Sequence, residues 1–344
     1  MSSPSDRPAR SGFPEWYRTI RSFQKHSVPK AASQLITTLV PLAAFWAVMV
    51  AFMNLGFPYW SVLIVVVPAA FFLVRTFIIF HDCCHGSFLK TARANRIVGF
   101  LTGVLTFTAF EPWRTDHLRH HATSGQLDHR GFGDVWTMTY EEYAAADRWT
   151  RLKYRVYRTP AVMFFLGPFF IFIVINRLVP KWANAKERRS IWATNAGLVV
   201  VATVMSLVFG PLVYFAIQIP LILFSGTIGI WLFFVQHQFD PSYWARDHEW
   251  NQYEAAVHGS SYYELPRVLR WLTGNIGIHH IHHLRPAIPN YRLWDAYTST
   301  PEAQQVPKLG LWESFKSLRY NLWHEAARRF MSFRDARRML RGVS

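Results

Sequence analysis

"AASQLITTLVPLAAFWAVMVAFMNLGFPYWSVLIVVVPAAFFLV", Ala31 to Val74, is 44 residues long and contains no Asp, Glu, Lys or Arg. A helix needs roughly 20 apolar residues to cross the hydrocarbon core of a bilayer. The stretch therefore suits two crossings, folded back across Asn54–Trp60, where Gly56 and Pro58 supply the turn. A second charge-free run, Ile191 to Phe239, spans 49 residues, is interrupted by Gly210-Pro211 and divides in the same way. The expected fold is an all-α integral membrane protein with four transmembrane helices and a helical cap that gathers histidines into a dimetal site.

Positive charge in short loops marks the cytoplasmic side. Lys25 and Lys30 precede the first helix, and Lys90, Arg93 and Arg96 follow the second, whereas neither tight turn carries a charge. Both termini are thus expected inside, in a multi-pass protein of a bacterial inner membrane. The basic, polar first thirty residues do not read as a cleavable leader, so the first span is expected to be its own targeting signal. The organisation read from these runs is a cytoplasmic N-terminal segment (1–30), helices 1 and 2 (31–80), a cap segment with two histidine clusters (81–190), helices 3 and 4 (191–237), and a C-terminal cap with the third cluster and a basic tail (238–344).

Two further apolar stretches are expected not to cross. Ile97 to Phe110 has only 14 residues and reads as interfacial. Thr159 to Asn176 is long enough to span, but basic sequences flank it on both sides and Pro168 interrupts it, so it reads as re-entrant. A true crossing there would put His117 and His237 on opposite faces of the membrane.

The chain is 51% hydrophobic and 17% aromatic, yet carries a formal charge of +16. A nucleic-acid binder would need its basic face free of the membrane, and so much apolar sequence argues against that. The charge fits a cap and a tail ("RDARRMLRG") lying against anionic headgroups. The two cysteines, Cys83 and Cys84, are adjacent and exclude a long-range disulfide framework.

Most of the fifteen histidines are clustered. His81 and His85 stand in "HDCCH"; His117, His120 and His121 in "HLRHH"; His279, His282 and His283 in "NIGIHHIHHL". Residues three and four apart on a helix share a face, so each cluster can aim two or three imidazoles at one point. Neutral imidazole binds iron, copper or zinc. Crowded without metal, eight imidazoles would suffer desolvation and, once protonated, mutual repulsion. One ion does not use so many ligands, so two are expected. His237, alone at the end of the fourth helix, reads on its own as a packed residue. His26, His129, His248, His258, His280 and His324 read as ordinary, with His280 pointing away from the site that its neighbour His279 shares.

The order HxxxH, HxxHH, HxxHH with membrane helices between resembles the integral-membrane fatty acid desaturases, most closely a bacterial acyl-lipid branch of omega-6/delta-12 type. "WRTDHLRHHATSGQLDHRGFGDVWTMTYEEY", "WLFFVQHQFDPSYW" and "GSSYYELPRVLRWLTGNIGIHHIHHLRPAIPNYRL" extend the resemblance over roughly Phe72 to Leu293. It implies a centre of two iron ions ligated by His81, His85, His117, His120, His121, His237, His279, His282 and His283, with dioxygen as co-substrate. Asn275 would hold a water at the centre or cap a helix. Cys84, where relatives commonly have glycine, is expected to pack rather than bind metal, and His129 replaces a usual basic residue; neither departure touches a ligand position.

Removing two hydrogens from unactivated carbons is beyond any side chain, so the protein's contribution is placement within a narrow apolar tunnel. "FFLVRTFIIF" and "GIWLFFVQ" are candidate walls. Asp82, Asp116, Asp128, Asp134 and Glu264 are candidates to orient imidazoles from behind. The chain carries no HPGG haem motif, no glycine-rich dinucleotide fingerprint and no iron–sulfur cysteine set. Electrons are therefore expected from a separate carrier such as a ferredoxin, docking on the basic cap, and the substrate is expected to be an acyl lipid or acyl thioester. A hydroxylase, epoxygenase or carotenoid-modifying enzyme on the same scaffold is the nearest alternative. A metal transporter is disfavoured, because both long runs lack ionisable residues at mid-membrane.

Overall fold

In a computed structural model the chain is described over residues 14, 16–131 and 135–342. Asp134 lies outside the described residues. Four helices are long and apolar enough to cross a membrane: Val28–Asn54, Tyr59–His85, Ala185–Phe209 and Pro211–His237, spans one to four below. Their ends follow from local chemistry. The Ser27 side chain accepts from the Lys30 N–H at the start of span one, and Asn184 forms a reciprocal capping box with Glu187 at the start of span three. Gly86, at φ 70°, closes span two in the left-handed conformation that glycine adopts without strain. Gly210, at φ 87°, ends span three, and Pro211 opens span four, where its missing N–H costs nothing.

Span two is the centre of the bundle, packed between spans one and four. Val62, Val66, Ala69 and Ala70 meet Leu42 and Met49 on one side and Ile217 and Leu221 on the other. Lipid tails are as apolar as these side chains, so close packing rather than exclusion from water holds the contact, and the two alanines let the backbones approach. Span three is peripheral: Val199, Val200, Leu207 and Val208 are each at least 60% exposed, as residues facing lipid should be.

The stretch around Ile97 forms a helix, Ala92–Leu105, with Ile97, Leu101 and Leu105 along an exposed stripe and Gly99 and Gly103 turned inward. At Gly99 a side chain would collide with the Phe110 ring, 2.3 Å away. Residues 162–177 form a helix broken into π-helical turns and bent by 62° from Arg148–Tyr157. His120 Nε2 lies 3.2 Å from His237 Nε2, which fits the expectation of a re-entrant segment, with spans three and four as the two passages between these residues.

The cap also contains short strands that the histidine spacing did not announce. Met138–Thr139, Leu322–His324 and Arg329–Met331 form one small sheet, and Tyr262–Glu264 pairs with Lys308–Gly310. The second pairing supports the backbone that leads into the third histidine cluster.

Candidate metal centre and substrate cavity

Four elements deliver the clustered imidazoles: the last turns of spans two and four, the helix Phe110–Thr123, and the short helix His279–Leu284. The last is aimed by a tight reversal. The helix Arg267–Leu272 ends with the Gly274 N–H donating to the Trp271 carbonyl and the Asn275 N–H to the Arg270 carbonyl, with both residues at φ 57°.

The nine imidazoles fall into two groups. His81, His85, His117, His121 and His282 form one, and His120, His237, His279 and His283 form the other; within each, one nitrogen per ring lies within 4.8 Å of all the rest. In the first group His117 Nε2 is 2.9 Å from His81 Nε2 and 3.1 Å from His121 Nε2, which is 3.0 Å from His282 Nε2. In the second, His237 Nε2 is 3.2 Å from His120 Nε2 and 3.0 Å from His279 Nε2, which is 3.1 Å from His283 Nε2. The groups adjoin through stacked His121 and His283, 4.2 Å between ring centres.

Hydrogen bonding does not account for this arrangement. A ring nitrogen offers one in-plane lone pair or one N–H, yet His117, His121, His237 and His279 each face two other nitrogens. Two adjacent ligands of an octahedral ion at about 2.1 Å stand about 3.0 Å apart, close to the observed spacing. His85 Nε2 is buried without a hydrogen-bond partner. The donor set fits two cations, and nitrogen-only donors suit a first-row transition metal rather than a hard ion such as magnesium.

Electrostatics agrees. Burial, reinforced by neighbouring imidazoles, holds His117, His121, His279, His282 and His283 well below the usual histidine pKa, so at neutral pH their lone pairs are free. His280 faces away, with Nε2 2.9 Å from the Ala303 carbonyl, and burial pushes its pKa down to about 3. Cys83 and Cys84 are free, buried thiols packed among Ile79, Phe80, Phe88 and Phe110, in neither imidazole group.

Of the residues expected to brace the imidazoles, Asp82 does so, and Asn275, Asp116, Asp128 and Glu264 have other places among the described residues. Asp82 is the carboxylate behind His81, Oδ1 to Nδ1 3.2 Å. Behind His237 stands the Gly259 carbonyl, 3.2 Å from Nδ1. Among the described residues Asn275 makes no hydrogen bond to an imidazole: its side chain donates to the Asn290 carbonyl, and its backbone takes part in a helix end. Asp116 lines the cavity described below, and burial raises its pKa. Asp128 is a surface group that binds Arg246 at 2.6 Å and the Asp247 N–H. Glu264 is exposed. Trp113, stacked on His117 at 4.3 Å, and Phe233, against His120 and His237, complete the surroundings. Phe233 lies in a stretch expected to line the cavity, whereas the sequence offered no signal for Trp113 beyond its aromatic character.

A cavity of about 400 Å³ runs from His81, His117 and His279 into the membrane bundle. Its walls draw on both stretches expected from the sequence: Val74, Phe77 and Ile78 from span two, and Gly229, Ile230 and Phe233 from span four. Ile222, Gly226 and the bent segment's Phe172 also line it. Gly226 is required there, because a Cβ would sit 2.9 Å from the Phe172 ring. The lining is predominantly apolar, with imidazoles from both groups at one end, as a long alkyl chain would require.

Comparison with known proteins gives the same answer. The family model for fatty acid desaturases matches residues 57–314. A fatty acid desaturase of Bacillus subtilis is 46% identical over 317 residues, 92% of this chain and 90% of its own length. An sn-1 oleoyl-lipid 12-desaturase of Synechocystis is 25% identical over 82% of this chain and 80% of its own. A chloroplastic omega-6 fatty acid desaturase of Arabidopsis thaliana is 28% identical over 66% of this chain and 50% of its own length. With its histidines converging at the mouth of an apolar cavity, the chain belongs to the fatty acid desaturase family and is a membrane oxidoreductase.

Proposed function

We propose that this protein introduces a cis double bond into the acyl chain of a membrane lipid, using dioxygen and two electrons at a pair of iron ions. The observation that carries the reading is the meeting of both imidazole groups with one end of the apolar cavity. His81, His85, His117, His121 and His282 would hold one ion, and His120, His237, His279 and His283 the other. Bound there, the ions supply the redox chemistry with dioxygen that no side chain has. Each turnover takes two hydrogens from neighbouring carbons and, with two electrons and two protons from outside, converts dioxygen to two waters.

The chain's own residues hold the substrate. An alkyl chain offers no polar handle, so Phe77, Ile78, Ile230 and Phe233 fix one carbon pair by shape and exclude water around it. Lowered pKa values keep the lone pairs of His117, His121, His279, His282 and His283 available for the ions, while Asp82 and the Gly259 carbonyl set the tautomers of His81 and His237 by accepting from Nδ1.

Several features support an acyl lipid over a soluble thioester. The cavity is walled by spans two and four, and the Synechocystis relative is named for a lipid-linked oleoyl chain. Exposed Arg148, Lys153, Arg334 and Arg338 favour an acidic, separate electron carrier of the ferredoxin kind on the cap. The uncharged turns at Asn54–Trp60 and Gly210-Pro211 support placing the cap and both termini in the cytoplasm of a bacterial inner membrane.

The deciding experiment is lipid profiling by mass spectrometry of a host expressing the chain beside a His282→Ala control. Lipids lighter by two hydrogens, formed only by the intact chain, are expected. Products that gain oxygen would instead identify a hydroxylase or epoxygenase, and unsaturated thioesters with unchanged lipids would move the reaction to a soluble carrier.

A further inference from the structure

Span one contributes no imidazole, yet a line of buried polar groups connects it to the first group. Arg75 Nε donates to Thr38 Oγ1 at 3.0 Å, and Thr38 donates to the Gln34 carbonyl. Gln34 Nε2 donates to Asn290 Oδ1 at 2.8 Å. Asn290 then donates twice to Asp82 Oδ2, from Nδ2 at 2.8 Å and from its backbone N at 2.6 Å. The other Asp82 oxygen faces His81 Nδ1. Arg75, Thr38, Gln34, Asn290, Asp82 and His81 are all 6% exposed or less.

Gln34 accepts from Thr38 on its backbone carbonyl and donates to Asn290 from its side-chain amide, so two short relays meet at this residue. The second, Gln34 to Asn290 to Asp82, passes through a single Asn290 amide, and bonds aligned head to tail in a low dielectric polarise one another. Among the described residues the carboxylate has no Lys or Arg in direct contact, so the two donations from Asn290 are what fix the orientation of Oδ2.

Resting on the desaturase reading above, we propose that Asn290, held in place by Gln34 of span one, is a positioning residue for the first metal group: it locks Asp82 as the acceptor for His81, and so sets how tightly the five-histidine group keeps its ion. Among the described residues the bonds of Asn290 and Asp82 lead to His81, a member of the five-histidine group, and to no ring of the four-histidine group. Span one thus acts on the centre through hydrogen bonds rather than through a ligand.

The test uses the purified, iron-loaded protein in detergent and follows the release of iron to a chelator. The wild type is expected to hold two irons per chain. Asn290→Ala is expected to release one of them about tenfold faster, in the same kinetic phase that His85→Ala removes, with the other iron unchanged. Gln34→Leu should accelerate the same phase to a smaller extent, and it carries the test alone if Asn290→Ala does not accumulate. Release at the wild-type rate, or both irons accelerated together, would overturn the positioning role. A wild type that binds no metal while remaining active would overturn the reading beneath it instead.

Discussion

The two imidazole groups are built from the same residue type but braced differently. The five-histidine group has a buried carboxylate behind one ring, itself gripped by Asn290. The four-histidine group has a neutral carbonyl behind His237 and the Phe233 ring against two of its imidazoles. A negative charge that accepts from an imidazole makes its other nitrogen more basic than a neutral acceptor does. Asp82 should therefore make His81 a stronger donor to its ion than the Gly259 carbonyl makes His237.

Replacing a ring should have the largest effect and break the symmetry of the comparison. His282→Ala and His283→Ala, one from each group, should each lower desaturation by more than about a hundredfold and leave one iron per chain by elemental analysis. Loss of both irons from either variant would show that the groups are one cooperative unit.

Next in size is the carboxylate. Asp82→Ala should weaken iron binding in the first group by about 10–100-fold, whereas Phe233→Ala should leave iron content intact and act on the product pattern, because that ring also lines the cavity. Comparing iron content with lipid profiles for the two variants checks the distinction.

Acid should act on both groups. His117, His121 and His282 of the first group and His279 and His283 of the second have folded pKa values below the unfolded value of about 6.5, so in the window beneath it the unfolded chain binds more protons and stability falls as the pH drops. His280, with its pKa near 3, adds to this loss between about 6.5 and 3. Metal-free protein should show a falling melting temperature below about pH 6.5, with iron-loaded protein persisting to lower pH. The smallest effect is expected for Asp128→Asn, which touches only surface partners and should leave both iron content and product unchanged.

Much of this was legible in the residues. The charge-free runs gave the four spans, because the bilayer tolerates little else, and the spacing of the histidines on helices gave the faces that converge. His237 was legible only through the family resemblance, since a single histidine at a helix end has no local pattern; the structure sets it within 3.2 Å of two other rings. Asn290 and Gln34 were illegible. Their roles depend on bringing together residues 256 positions apart, and amides on apolar helices carry no periodic signature. Asp82 and Asp128 look alike in sequence, each an acid near a histidine. Only tertiary packing buries one and leaves the other beside Arg246.

The bent segment near Pro168 has a consequence for traffic. Phe165, Phe169, Phe170 and Ile175 point outward, while Met163, Gly167 and Phe172 of the same short stretch face the cavity. Only one thickness of polypeptide thus separates the surrounding tails from the reaction chamber, and its π-helical turns are the least regular in the bundle. On the acyl-lipid reading proposed above, a lipid inserts its tail sideways and withdraws it unsaturated while its headgroup stays at the surface, so neither substrate nor product has to pass through water.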